Sequence, residues 1–151
     1  MKRNLLSLAA FLILVVGGGL TIGLFTLPGE WYAGLAKPVF NPPNWIFGPV
    51  WTILYLMIAV AGWRIYEANH SSAAMKLWWA ALVLNFVWSP SFFGAQQLRL
   101  ALAIILSLLV VILAFILTSQ KIDKPASLLF VPYAAWVGFA SLLNGAIFTL
   151  N

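Results

Sequence analysis

The sequence predicts an all-α integral membrane protein, a bundle of five transmembrane helices. Composition is the first reason. Of 151 residues, 64% are hydrophobic and 7% charged, and the mean hydropathy is +1.02. A soluble domain carries about 25% charged residues, so this chain lacks the polar side chains to cover a water-facing surface. The second reason is the presence of five apolar runs, each near the roughly 20 residues that a helix needs to cross a bilayer core. Strands are the third consideration, because open sheet edges cannot sit in hydrocarbon.

The first run, about 5–27, contains no charge. Met1-Lys2-Arg3 before it imitates a secretory signal. The run is too long for one and no small-x-small cleavage pattern follows, so it reads as a retained span. Gly17-Gly18-Gly19 and Gly19-x-x-x-Gly23 lie within it. Small residues let helix backbones approach closely in lipid, whether the partner is in the same chain or a second copy.

The connection from Pro28 to Asn44 carries Glu30, Trp31, Tyr32, Lys37 and the prolines Pro38, Pro42 and Pro43. Proline lowers unfolded-state entropy and favours a single path, so this loop reads as an ordered lid at one end of the bundle. It delivers the chain into a second span at about 45–65, near Arg64. A third span covers about 77–96, between Lys76 and Gln96-Gln97, with Pro90 expected to kink its middle. The fourth covers about 100–118, between Arg99 and Lys121, and the fifth about 126–150, after Lys124. Short connections make neighbours antiparallel within one domain, 1–151.

Net charge is +5, and its placement says more than its size. Lys2, Arg3, Arg64, Lys76, Lys121 and Lys124 fall on the N-terminal side, against only Lys37 and Arg99 on the lid side. The positive-inside rule then places the N-terminus in the cytoplasm. The basic excess is thereby a topology signal, with no nucleic-acid partner implied. Cysteine is absent, which removes disulfides, thiol nucleophiles and Cys metal sites.

The acids Glu30, Glu67 and Asp123 and the lone His70 all fall in expected loops. Proton-coupled carriers place an ionisable group at depth, and hydrolases need an acid–base pair within reach. Neither is expected here, nor is a metal site. His70 beside Ser71-Ser72 reads as part of a solvated turn.

What remains within the spans is aromatic or uncharged and polar. Trp51 and Tyr55 stand four apart on the second helix. Asn85, Trp88 and Phe92, with Ser89 and Phe93 alongside, share a face of the third. Tyr133, Trp136, Ala140 and Asn144 form a stripe on the fifth. One reading is ordinary packing, with the asparagines as interhelical hydrogen-bond glue. The other is a cavity for a large, flat, mostly apolar ligand. Deep tryptophans favour the second, since belt aromatics belong at the interfaces.

The same residues resemble the TspO/MBR family, the tryptophan-rich sensory or translocator proteins related to the peripheral benzodiazepine receptor. The match runs through Trp31-Tyr32 and Lys37-Pro38, then Pro42-Pro43-x-Trp45-x-Phe47-x-Pro49-x-Trp51-Thr52-x-x-Tyr55. It continues through Asn85-x-x-Trp88-Ser89-Pro90-x-Phe92-Phe93-Gly94 and ends in Pro132-Tyr133-x-x-Trp136 with Leu143-Asn144.

The resemblance implies a five-helix bundle, often a homodimer, with a ligand pocket beneath the first loop. Porphyrins (haem and protoporphyrin IX) are the implied ligands, with isoquinoline or benzodiazepine compounds and membrane lipid as further partners. No cofactor is required beyond porphyrin as ligand. Carried over by position, the ligand-binding residues are Tyr32, Trp51, Tyr55, Asn85, Trp88, Phe92, Phe93, Trp136 and Ala140.

Light-dependent porphyrin degradation is an alternative that the resemblance brings, with Trp51 and Trp136 as its catalytic residues. Passive porphyrin or lipid transport is another. A sterol role has less basis, because the C-terminal LNGAIFTLN lacks the Tyr and basic residue of the cholesterol-recognition pattern. Porphyrin carboxylates would need water or a basic partner, for which Lys37 and Arg99 are the local choices.

Overall fold

The computed structural model describes residues 4–151. Lys2 and Arg3, on which part of the charge asymmetry rests, lie outside the described residues. Five long helices span Leu5–Phe25, Asn44–Asn69, Ala73–Gly94, Leu98–Ser119 and Lys124–Leu150, and the described residues contain no strand. The fourth shows the solvent it was built for. Ile105, Leu108, Ile112 and Phe115 are buried, while Leu106, Val110, Leu113 and Leu117 face outward. Aliphatic on both faces, such a helix suits protein on one side and lipid on the other.

Helix boundaries move from their expected places where side chains find partners. The second span continues to Asn69, so Glu67 lies in the helix and not in the expected loop. Its carboxylate accepts a hydrogen bond from Ser7 Oγ at 2.5 Å, which lets the acid remain on the helix. Arg64, also helical, reaches Asp123 through two hydrogen bonds of 2.6 and 3.0 Å. Asp123 in turn caps the fifth span by accepting from Ala126 N–H at 3.2 Å. The third span starts early, at Ala73, because Ser72 caps it through Met75 N–H at 3.1 Å.

Pro90 does not kink the middle of the third helix as expected. It opens a π-helical turn, Pro90–Gly94, at the end of that span. Proline removes one N–H from the helix ladder. Here Ser91 Oγ donates to the Val87 carbonyl at 2.8 Å, and Ala95 N–H reaches back to the Pro90 carbonyl at 2.8 Å. Two residues beyond the widened turn, Gln96 takes a φ of 57° and the chain reverses.

The spans close a ring in the order first, second, fifth, fourth, third. At the end away from the lid, Trp63 Nε1 donates to the Asn4 carbonyl and Ser7 Oγ, both at 3.0 Å, tying the first span to the second. Between second and third, the Trp78 indole lies on Gly62, where any Cβ would collide. Its N–H is satisfied by the Ile58 carbonyl at 2.9 Å.

The glycines of the first span resolve in the same way. A Cβ on Gly19 would meet the Tyr55 ring at 2.5 Å, and one on Gly18 the Phe86 ring at 2.9 Å. Both are therefore used within the chain. Gly17 and Gly23 have open space where a Cβ would stand.

Candidate ligand-binding cavity

The lid is pinned at several points. Gly29 leads into a short helix, Glu30–Ala33, which sends Tyr32 inward to 4% exposure. The Tyr32 ring packs on Phe93 at 5.3 Å and Phe92 at 6.1 Å. Burial pushes its phenol above the usual tyrosine range, opposed by the Asn41 side chain. Lys37 Nζ donates to the carbonyls of Tyr32, Leu35 and Ala33 at 2.7, 3.1 and 3.4 Å, and stands 4.5 Å from the Tyr32 ring centre. The Asn151 carboxamide brackets Ala36, accepting from its N–H at 3.1 Å and donating to its carbonyl at 2.9 Å. Phe40 settles on Phe139 at 6.2 Å.

Beneath the lid lies a cavity of about 610 Å³, within the range of small-molecule sites. It is lined by all nine residues that the sequence singled out: Tyr32, Trp51, Tyr55, Asn85, Trp88, Phe92, Phe93, Trp136 and Ala140. Helical periodicity explains the meeting. Trp51 and Tyr55, one turn apart, stack at 5.6 Å. The stripe on the fifth span brings Trp136, Ala140 and Asn144 to the same wall. Pro90's π turn packs Trp88, Phe92 and Phe93 together, with Trp88–Phe92 at 5.2 Å and Phe92–Phe93 at 4.7 Å.

The two readings of the polar residues, glue or cavity wall, both hold. Asn85 Nδ2 donates to the Tyr133 hydroxyl at 2.6 Å, joining the third span to the fifth. Asn144 accepts from Trp88 Nε1 at 3.1 Å and donates to the Leu98 carbonyl at 3.3 Å, joining fifth, third and fourth. Both asparagines also line the cavity. Trp136 differs: its ring is packed between Phe47 at 5.8 Å and Phe139 at 5.5 Å, and its buried Nε1 has no acceptor among the described residues. Unsatisfied buried groups of this kind cost about 1–3 kcal/mol.

Lys37 and Arg99, the basic residues considered for ligand carboxylates, do not line the cavity. Lys37 spends its donors on the lid's own carbonyls instead. Among the described residues, no Asp, Glu, Lys, Arg or His lines the space.

Sequence reasoning missed the first span's share of the wall. Gly19, Leu20, Gly23, Leu24, Thr26 and Leu27 all border the cavity, and Thr26 Oγ1 bonds Ser89 Oγ at 2.6 Å. The glycines were the available signal, since a small residue opposite Tyr55 leaves room beside the ring. Beyond Gly19 the outer part of this span leans on the third helix. Leu24 and Leu27 of this span and Trp45 of the second border the cavity and are 71%, 66% and 73% exposed.

Comparison with known proteins agrees with this architecture. The family model described as "TspO/MBR family" matches residues 10–150. The chain belongs to the TspO/MBR family. Tryptophan-rich protein TspO of Chlorobaculum tepidum is 41% identical over 100% of this chain and 99% of its own length. The tryptophan-rich sensory protein of Cereibacter sphaeroides is 36% identical, covering 89% of this chain and 85% of its own. The human translocator protein is 32% identical, covering 88% and 83%. As a TspO/MBR protein with five apolar spans, the chain is a multi-pass integral membrane protein.

Proposed function

We propose that this protein is a membrane receptor or sensor that binds tetrapyrroles, such as haem and protoporphyrin IX, and related flat apolar ligands. The observation that carries this reading is the 610 Å³ cavity walled by Trp51, Tyr55, Trp88 and Trp136 beneath a pinned lid. Indole and phenol rings offer large flat faces for stacking. Burial of an apolar macrocycle among them supplies affinity. The sensory role draws on the name of the Cereibacter sphaeroides relative. The setting we propose is the bacterial cell membrane with the N-terminus in the cytoplasm. Arg64, Lys76, Lys121 and Lys124 lie at the end opposite the lid, in keeping with the positive-inside rule.

Titration of the detergent-solubilised protein with protoporphyrin IX, followed by tryptophan fluorescence, tests the reading. Saturable quenching is expected, with affinity lost in Trp51→Ala and Trp136→Ala. Unchanged saturable binding in both variants would place the ligand elsewhere and refute the assignment.

A further inference from the structure

We propose that the groove between the second and fifth spans is a binding site for an acyl chain of a bilayer phospholipid, and that this chain braces Trp136 from outside the ligand cavity. The lipid site stands on its own geometry. Its effect on a cavity ligand rests on the function proposed above.

The groove follows from a break in the fifth span. The first part, Lys124–Leu129, packs closely on the second span. The chain then turns at Phe130, and the remainder, Val131–Leu150, leaves the second span to pack mainly on the fourth. Pro132 stands in the first turn of this new helix, where its missing N–H has no helical partner to lose. The wedge that opens is lined between Val50 and Met57 on one side and between Pro132 and Phe139 on the other, by apolar side chains alone.

Size and depth choose the occupant. The groove holds about 470 Å³. The rise from Val50 to Met57 is about 10 Å, so the mean cross-section is about 50 Å². A helix with its side chains is about 10–12 Å across, roughly twice that area, and is too broad to enter. An extended hydrocarbon chain fits. Both walls lie in the middle of their spans, at the depth where a bilayer is hydrocarbon. Ile53 is 58% exposed and Ala135 is exposed, so the groove is open to that hydrocarbon. Association in lipid rests on van der Waals contact, which an unfilled groove forfeits.

Trp136 gives the site its consequence, because it borders both the groove and the ligand cavity. Its Nε1 has no acceptor among the described residues, so packing alone positions the ring. Phe47 and Phe139 supply part of that packing, and a chain in the groove completes it. Groove occupancy and cavity affinity are thereby linked, each favouring the other.

Native mass spectrometry of the full chain, released from nanodiscs of palmitoyl-oleoyl phosphatidylcholine, tests the site. One retained phospholipid per chain is expected. It is lost in Ala135→Phe, which fills the groove, and kept in Val110→Phe on the lipid-facing side of the fourth span. Ile53→Trp fills the groove from the opposite wall and serves if Ala135→Phe does not fold. No retained lipid in the wild type, or undiminished retention in the filled variants, would overturn the proposal. So would a dimer that only the filled variants break, since the groove would then hold a second copy.

Protoporphyrin IX affinity, read by tryptophan quenching in nanodiscs, tests the link. Affinity is expected to be at least about threefold weaker in methyl-branched diphytanoyl phosphatidylcholine, whose chains are too thick for the groove, with the difference erased in Ala135→Phe. Equal wild-type affinities in the two lipids would overturn the bracing of Trp136. If protoporphyrin bound saturably in neither lipid, the proposed function would fall, while a retained phospholipid would still uphold the groove site.

Discussion

Lys37 is the residue whose role the structure changes most, and its replacement by Met gives a measurable result. Methionine keeps much of the aliphatic stem and deletes the ammonium. The Nζ atom makes two short hydrogen bonds, to Tyr32 and Leu35 carbonyls at 2.7 and 3.1 Å, and a longer one to Ala33 at 3.4 Å. Hydrogen bonds to charged groups contribute about 1.5–3 kcal/mol each when well shielded, and a cation over an exposed ring about 0.5–1 kcal/mol. Lys37 is only partly buried, and a half-solvated ammonium regains water when the lid opens. About 2 kcal/mol for the whole staple is the figure that survives this discount, equivalent to roughly 30-fold in lid opening.

Hydrogen exchange reads that opening directly. The amides to follow are those of Ala33, Gly34 and Leu35, which bond to the carbonyls of Gly29, Glu30 and Tyr32 at 3.0, 3.0 and 3.1 Å. Their protection is expected to fall roughly 30-fold in Lys37→Met, with the amides around Leu108 in the fourth span unchanged. A loss of less than about threefold would show that Phe40, Tyr32 and Asn151 hold the lid without the lysine, and would refute the reasoning.

Two further outcomes follow from the cavity wall. Gly19→Ala forces the Tyr55 ring away from a Cβ that would stand 2.5 Å from it, at a cost of about 1–3 kcal/mol for overpacking. Porphyrin affinity is expected to drop by about tenfold, while Gly23→Ala, facing open space, leaves it unaltered; equal affinities would disprove the contact. A double-mutant cycle on Asn85→Ala and Tyr133→Phe, read by unfolding in mixed detergent, is expected to give a coupling of about 0.6–1.7 kcal/mol. A coupling indistinguishable from zero would mean that the 2.6 Å bond does not hold the third and fifth spans together.

The bundle was legible in the sequence because bilayer thickness fixes the length of an apolar run. The aromatic wall was legible because helical spacing places Trp51 with Tyr55 and Trp136 with Ala140 on single faces. Boundaries were less so. Glu67 reads as a loop residue until Ser7, sixty positions away, is seen to satisfy it. Pro90 reads as a central kink because a residue type does not say where its helix will stop. Lys37 invites pairing with a ligand because sequence shows the charge but not the three carbonyls folded around it.

By itself, then, the sequence determined the solvent, the number of crossings and the aromatic faces of the second, third and fifth spans, since composition and periodicity are local properties of the chain. Tertiary structure decided which of those side chains remain free to meet a ligand. It committed Asn85 and Asn144 to neighbouring helices, drew Lys37 into the lid and left no charged side chain among the described residues of the wall. The physical reason is that a polar group buried away from water must find its partner wherever the fold brings one, and that partner is usually distant in sequence.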